Sequence, residues 1–233
     1  MLLIAFGILP VLAGVLVIGK AVSNAQQTTG NDAFFHVAWH NLGATEIFPD
    51  HIGEHAELVD AARGLDTWYR AGVAEETTCA DGFRGQFLEE ASRYQCTTLL
   101  RATYIDLTDS VAATVAVAVM DKTGADALYE YDYDKGRDVG AVLHAYPVEG
   151  TPAAGWSDDH AVASDVRTVS SDETDQAYLM AATVGPLDGR TVAQLPGVWR
   201  YFERKEVEPY FGIAEQVASH LQSKFDTARE AGS

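Results

Sequence analysis

The sequence predicts an α+β protein in which an N-terminal transmembrane helix precedes one domain with a mainly antiparallel sheet packed by helices. Three observations predict it. The chain opens with an uncharged, mostly apolar run, Leu2–Gly19. Valine and alanine alternate along Val111–Val119 with the period of two that is typical of a β-strand. The chain closes with an apolar stripe at helical spacing from Tyr210 to Ala228. Strand pairs joined by hairpins, with helices between them, favour an antiparallel sheet that helices cover on one face.

The opening run predicts a membrane anchor. Its eighteen residues would form a helix of about 27 Å, close to the ~30 Å of a bilayer's hydrocarbon core. The run is long and lacks the basic start of a secretory signal, so we expect a retained anchor, or uncleaved signal, over residues 1–22 and a polar linker over 23–33. A leader cleaved after Ala25 is the alternative, and it would release a secreted, soluble ligand-binding protein.

Residues 34–233 are enough for one packed domain. The chain of 233 residues is 47% hydrophobic and has a net charge of −18, which excludes a nucleic-acid partner because phosphate binding depends on lysine and arginine. Two cysteines, Cys79 and Cys96, predict one disulfide and with it an extracytoplasmic domain. Two unpaired buried thiols are the alternative. A bridge requires a helix shorter than residues 80–95, because bridged Cα atoms lie within about 7 Å, and Gly82 and Gly85 are expected to delay its start.

Periodicity and turn chemistry predict the soluble elements in order. Thr108-Asp109-Ser110 separates two β-rich runs and makes them an antiparallel hairpin. Thr123 is expected to cap the next helix. The C-terminal helix is expected to close the core by packing Leu221 and Phe225 across the sheet; an exposed partner-binding face is the alternative. The predicted elements are an extended segment Glu46–Asp50, a helix Ile52–Ala62, strands Thr97–Leu107, Val111–Val119, Val139–Val148, Ala163–Ser170, Gln176–Val184 and Thr191–Leu195, and helices Asp121–Lys135, Val198–Val207 and Pro209–Ala228.

Four of the seven histidines lie between His36 and His55, in a stretch with a metal-site pattern. His51-Ile-Gly-Glu54-His55 spells HxxEH, in which two histidines one helical turn apart can share a zinc ion and the glutamate can act as general base. His36 and His40 are also four residues apart. The flanks lack the long amphipathic helix of such sites, so we expect polar surface residues and no metal. A zinc-dependent hydrolase that uses this stretch is the alternative.

An acidic, tyrosine-rich patch covers Tyr129–Gly136. Asp132, Asp134 and Asp138 have the spacing of calcium ligands, but the loop lacks the glutamate that an EF-hand needs, so we expect a solvated helix end. The chain has no GxSxG, GxxxxGK[ST] or GxGxxG motif. Neither a hydrolase nucleophile elbow nor a nucleotide-binding loop is therefore predicted.

Several short runs carry a resemblance, from Glu46-Ile-Phe-Pro49 through Ala80-Asp81 and Leu100-Arg-Ala-Thr-Tyr104 to Val115–Val119. In these runs the chain resembles uncharacterised actinobacterial envelope proteins with one N-terminal membrane segment and an exported α+β domain. The resemblance implies a membrane anchor with an exterior domain, and it implies no activity and no catalytic residue. The chain departs from that pattern in having no basic residue before its apolar segment.

We therefore expect a single-pass, membrane-tethered, extracytoplasmic domain that acts by binding, as a sensor, scaffold or accessory component of an envelope assembly. It is not expected to be an enzyme, because no nucleophile–base pair or ligand set converges in the sequence. The membrane would hold it through Leu2–Gly19, and a protein of the envelope would be its partner. We expect no cofactor and no catalytic residue.

Overall fold

Over the residues that the structure describes, the fold is a six-stranded antiparallel sheet packed by helices. The computed structural model describes residues 34–35, 37–53, 67–135, 140–171, 174–191, 194 and 208–231. The strands are β1 (His51–Ile52), β2 (Trp68–Val73), β3 (Thr98–Asp106), β4 (Val111–Asp121), β5 (Ala163–Ser170) and β6 (Gln176–Pro186). The helices are α1 (Ala38–Asn41), α2 (Ala44–Ile47), α3 (Cys79–Gly82), α4 (Gly85–Ala91), α5 (Lys122–Lys135) and α6 (Glu208–Ala231), with a 3₁₀ turn at Pro152–Gly155. The strand order is β1-β2-β3-β4-β6-β5, and all neighbours are antiparallel, which confirms the α+β prediction.

The central hairpin forms where the sequence predicts it, with β3 paired to β4 along almost its whole length. The Asp106 carboxylate closes the turn, because it accepts hydrogen bonds from the backbone N–H groups of Ser110 and Val111, each at 2.7 Å. Asp109 adopts a left-handed backbone with φ of 55°, which aspartate tolerates better than a β-branched residue. The residue that satisfies these donors, Asp106, therefore lies at the end of the predicted strand Thr97–Leu107, just before the predicted turn.

Both faces of the sheet are covered, so the expectation of one covered face is wrong. On β4, Val115, Val117 and Val119 belong to the core shared with α6, while Ala116 and Ala118 belong to the core shared with α5. Because alanine is small and apolar, the backbone of covering segments can approach this face of the strand closely. The period-two pattern distinguishes the two faces by size here, and it does not mark one of them as solvated.

Helix α6 closes the first core, as predicted. Val217, Leu221 and Phe225 are fully buried, and the helix lies across β5 and β6. The Phe225 ring packs against Tyr178 with centroids 4.8 Å apart, and Phe35 packs against the same tyrosine at 5.1 Å. The Tyr178 hydroxyl donates to the carbonyl oxygen of Phe35. The start of the described chain is thereby fixed to the sheet.

Helices α3, α4 and α5 cover the second face. The stretch between the two cysteines is split into two short helices, because Phe83 and Arg84 are extended and Gly85 takes a positive φ of 60° that favours glycine. The split lets the chain turn back, and the Cα atoms of Cys79 and Cys96 lie 5.9 Å apart, at disulfide distance. The shorter helix and the paired cysteines agree with the prediction.

Residues 141–148, which we call the crossing segment, run across the second face and form only one isolated bridge, between Leu143 and Phe83. Beneath them four buried hydroxyl side chains lie in register on neighbouring strands, and we call them the hydroxyl row. From β5 to β3 they are Ser164, Thr183, Thr114 and Thr103. The distance across these four strands is about 14 Å, a span that four residues reach only when they are extended.

The hydroxyl row binds the backbone of the crossing segment. The hydrogen bonds, from donor to acceptor, are Val142 N–H to Ser164 Oγ (2.9 Å), Leu143 N–H to Thr183 Oγ1 (3.0 Å), Tyr146 N–H to Thr114 Oγ1 (3.0 Å) and Thr103 Oγ1–H to the Tyr146 carbonyl (2.5 Å). Side-chain hydroxyls of four strands thus form hydrogen bonds with this backbone that a partner strand's backbone would form in a regular sheet. The predicted strand Val139–Val148 is therefore wrong, since its described residues cross the sheet.

Further local predictions are wrong for equally local reasons. Glu46 lies in α2, where its Oε2 accepts from the Gly43 N–H at 2.6 Å and stabilises one helical turn before Pro49 takes effect. Asp121 caps α5 in place of Thr123, since its Oδ1 accepts from the Gly124 N–H at 2.7 Å. Strand β6 pairs with β4 on one side and with β5 on the other, so the predicted hairpin with Thr191–Leu195 is wrong. Thr191 and Gln194 are the described residues of that predicted strand, and they lie outside the strands of the sheet.

Several predictions lie outside the described residues: the anchor over 1–22, the linker over 23–33, the helix Val198–Val207 and most of the helix Ile52–Ala62, although Ile52 itself lies in β1. Among the helices that the structure does describe, none is both long enough and apolar enough to cross a bilayer. The predicted anchor accordingly stays a prediction.

Candidate functional site

The HxxEH stretch begins in a strand. His51 lies in β1 opposite Tyr69, and the ring of His40 stacks on Trp39 in α1 with centroids 5.0 Å apart. Glu54, His55 and His36 lie outside the described residues. Within the described part of the chain, no three histidine, cysteine, aspartate or glutamate residues are grouped to hold a metal ion. The absence of a metal at this stretch stays a prediction.

A group of titratable side chains holds the crossing segment at its exposed side. Asp158 Oδ2 lies 2.6 Å from His144 Nδ1, and Asp158 Oδ1 accepts from the Ala145 N–H at 2.7 Å. Arg84 approaches the same carboxylate at 3.3 Å. Burial acts to raise the pKa of Asp158, but the hydrogen bonds from Ala145 and His144 and the charge of Arg84 lower it overall. These contacts fix the backbone of the crossing segment and give this group a structural role.

A cleft of about 480 Å³ lies over the edge strand β5, between the C-terminal half of α5 and the N-terminal half of α6. Its size is within the range of small-molecule sites. All three elements contribute side chains to it. The lining residues are Tyr129, Asp132, Tyr133, Asp134 and Lys135 of α5, Ser164, Asp165, Val166 and Arg167 of β5, and Phe211 and Glu215 of α6.

Asp132 is the most buried acid of this cleft, with 7% of its surface exposed. It lies four residues after Leu128 on the inward stripe of α5, where an apolar residue would be expected. Its carboxylate accepts a hydrogen bond from the backbone N–H of Val166. Burial, and then the negative charge of Asp165, raise the pKa of Asp132 to about 7. Near neutral pH, Asp132 is therefore poised between its protonated and ionised forms.

Arg167 neutralises Asp132 only in part, because two other carboxylates share its guanidinium group. Arg167 Nε lies 2.7 Å from Asp165 Oδ2, and Arg167 Nη2 lies 3.2 Å from Glu215 Oε1. Burial raises the pKa of Asp165, and the charge and hydrogen bond of Arg167 partly offset that rise. The Arg167–Glu215 ion pair joins β5 to α6. The other basic lining residue, Lys135, is exposed, and the groups that lower the pKa of Asp132 are Val166 and Arg167.

The remaining lining is aromatic and acidic. Tyr133 projects from α5 with 80% of its surface exposed, and Tyr129 and Phe211 are partly buried beside the cleft. Four lining residues are acidic and two are basic. An acidic pocket with aromatic faces attracts positive charge electrostatically, both through the carboxylates and through the ring faces.

Sequence reasoning placed Asp132 at a solvated helix end, which is wrong, whereas Asp134 is exposed as expected. The calcium-like spacing of Asp132, Asp134 and Asp138 points to the patch Tyr129–Gly136, but it does not show that Asp132 is buried. The useful signal was the interval from Leu128 to Asp132, which continues the buried stripe of α5 by one turn. The contribution of β5 could not be read from the sequence, because Asp165 and Arg167 reach the cleft only through the pairing of β5 at the sheet edge.

A smaller hollow of about 180 Å³ lies between the N-terminal helices and the β2–β3 side of the sheet. Its lining side chains carry no charge. They are Trp39, Leu42, Ala44, Ile47, Phe48, Val73, Ala74 and Leu100. The cleft over β5 combines charge, aromatic rings and volume, and it is the candidate functional site. Comparison of the chain with protein-family models, with curated proteins and with solved structures finds no match.

Proposed function

We propose that this protein is a single-pass, membrane-tethered, extracytoplasmic binding domain that works as a sensor or accessory component of an envelope assembly. The observation that carries the proposal is the cleft over β5. It offers about 480 Å³ on rigid elements, with a buried carboxyl group and aromatic faces at one site.

The arrangement of the lining suits binding better than group transfer. Ser164 is a hydroxyl residue of the lining, but its Oγ accepts from the Val142 N–H at 2.9 Å and lies 2.5 Å from Thr183 Oγ1. Arg167 is held by Asp165 and Glu215. These groups are committed to the fold, so what the cleft presents to a ligand is fixed charge and ring surface.

Two features support the proposed location. The apolar run Leu2–Gly19 has the length of a membrane span. Cys79 and Cys96 lie at disulfide distance, and disulfides persist in oxidising compartments outside the cytoplasm. The resemblance to actinobacterial envelope proteins supports the same topology.

The location is tested on the native full-length chain in cells whose outer layers have been removed. We expect the protein to stay in the membrane after alkaline carbonate washing, and added protease to digest the domain from outside. The intact mass should include the apolar run Leu2–Gly19. A mass that begins after Ala25, with the protein in the soluble fraction, would replace the tether by the secreted alternative. A protease-resistant domain with two free thiols would contradict the exterior location.

The binding function is tested by thermal unfolding of the detergent-solubilised full chain with a panel of small anionic, neutral and cationic compounds. A compound that binds only the folded state raises the unfolding temperature. We expect at least one class to do so in the wild type and less in Tyr133→Ala, whose side chain is too exposed to be needed for folding. A panel that stabilises both proteins equally, or neither, would contradict a binding role of the cleft. Zinc retained in stoichiometric amount and lost from His51→Ala would instead support the hydrolase alternative.

A further inference from the structure

We propose that the cleft over β5 binds an organic amine in its charged form, whose ammonium group pairs with the buried carboxylate of Asp132. This inference rests on the proposed binding function and names the chemistry of its ligand. It depends on the geometry of three elements, α5, β5 and α6, which place a buried carboxyl group beside aromatic rings in one open cleft.

The negative charge of the Asp132 carboxylate is only partly compensated by its surroundings. Its side chain is almost wholly buried, and a buried carboxylate is costly unless a cation or several hydrogen bonds compensate it. Its compensation is one backbone N–H, from Val166, and a share of the Arg167 charge. Arg167 is engaged by Asp165 and Glu215, and Lys135, the other basic lining residue, is exposed and is not among the groups that lower the pKa of Asp132. A cation supplied by a ligand would therefore complete the compensation of Asp132.

The cleft has an aromatic surface at its entrance. Tyr133 is 80% exposed, and Tyr129 and Phe211 line the same cleft. An ammonium group gains from ring faces, while its organic part gains from the removal of ring surface from water. An inorganic cation would use the carboxylates but not the rings, so the lining favours an organic amine.

Amine binding would change the protonation of Asp132. Burial and the charge of Asp165 raise the pKa of Asp132 to about 7, and an ammonium group beside the carboxylate would lower it again. Binding below pH 7 would then release close to one proton, and affinity would rise with pH until Asp132 is ionised without ligand. The other titratable or charged groups that face the cleft are Tyr129, Tyr133, Asp134 and Lys135 on α5, Asp165 and Arg167 on β5, and Glu215 on α6.

The test is isothermal titration of the full chain with benzylamine, and with benzyl alcohol as its neutral counterpart, at pH 5.5, 6.5 and 7.5. Measurements at each pH in two buffers of different ionisation enthalpy count the protons released. We expect one benzylamine per chain, affinity roughly twentyfold higher at pH 7.5 than at pH 5.5, and no measurable binding of benzyl alcohol. Equal binding of both compounds, or benzylamine binding without proton release, would overturn the proposal.

Variants assign the effect to the cleft. Asp132→Asn keeps an acceptor for the Val166 N–H but cannot ionise, so we expect weaker benzylamine binding with no pH dependence. Asp126→Asn is the matched control, because Asp126 is exposed on the same helix outside the cleft lining. Tyr133→Ala should weaken binding several-fold without affecting folding. Equal losses in Asp126→Asn and Asp132→Asn would refute the role of Asp132. If anionic or neutral compounds bind at the cleft and benzylamine does not, the ligand class is wrong while the binding function stands.

Discussion

Replacing Asp132 by asparagine removes one ionisable group from the interior and changes little else. Asparagine has nearly the same shape, and its side-chain carbonyl can accept the hydrogen bond that the Val166 N–H donates to the carboxylate. The exposed fraction of Asp132 is 7%, so the substituted side chain meets the same packed surroundings on α5. The variant therefore isolates the free energy of ionising this group inside the folded protein.

The expected effect follows from the difference in proton binding between the folded and unfolded states. The pKa of Asp132 rises from its ordinary 3.8 to about 7 on folding. Between these values the folded state holds a proton that the unfolded state has lost, so stability falls as pH rises through this window. A difference of about three pKa units corresponds to about 4 kcal/mol of destabilisation above pH 7. The raised pKa of Asp165 acts in the same direction.

The assay is urea unfolding of wild type, Asp132→Asn and Asp126→Asn between pH 4.5 and 8.5. We expect the free energy of unfolding of the wild type to fall by a few kcal/mol across this range, and that of Asp132→Asn to fall much less. At pH 8 the variant should be the more stable protein, while near pH 4.5 the two should converge. Wild-type stability that does not change with pH, or equal slopes in wild type and Asp132→Asn, would refute the buried, protonated state of Asp132.

Three further predictions concern the framework. Replacing both Cys79 and Cys96 by serine should cost about 3 kcal/mol, measured by urea unfolding, and denaturing thiol labelling of the native chain should detect no free cysteine; two labelled thiols would disprove the bridge. Leu221→Ala should cost about 2–5 kcal/mol, because the side chain is fully buried between α6 and the sheet, and an unchanged unfolding temperature would mean that α6 is not part of the core. Thr114→Val removes the acceptor of two buried donors, the Tyr146 N–H at 3.0 Å and the Trp156 Nε1–H at 2.8 Å, and should cost about 2–4 kcal/mol; a neutral effect would show that the crossing segment does not depend on this hydroxyl.

Elements whose pattern is local were predictable from the sequence. The hairpin of β3 and β4 follows from two β-rich runs around Thr108–Ser110, and α6 follows from its apolar stripe. The paired cysteines follow from their number and from the break that Gly85 makes in the helix between them. In each case the deciding interactions join residues that are close in sequence.

The features that were missed depend on distant partners. The crossing segment has β-like composition, but its backbone is satisfied by hydroxyls from four strands, by the Asp158 carboxylate and by one isolated bridge to residues 82–84. The burial of Asp132 depends on Val166 and Asp165, which approach it only when β5 pairs at the sheet edge. Alternation on β4 predicts one buried face, but both faces are buried. Periodicity shows that the two faces of a strand differ, and it does not show whether the second face is exposed to solvent.

The hydroxyl row has a consequence for the time course of folding. Val142, Leu143 and Tyr146 are synthesised before Ser164 and Thr183, yet two of their three amide groups bond to those later hydroxyls. The amide groups of Val142 and Leu143 therefore lack their hydroxyl acceptors until β5 and β6 have docked beside β4, whereas the partners of Tyr146 precede it in the chain. During synthesis from the N-terminus, the core on the second face of the sheet cannot therefore be completed in the order in which its residues emerge. The second face is sealed in one late event, when the last strand of the sheet has arrived.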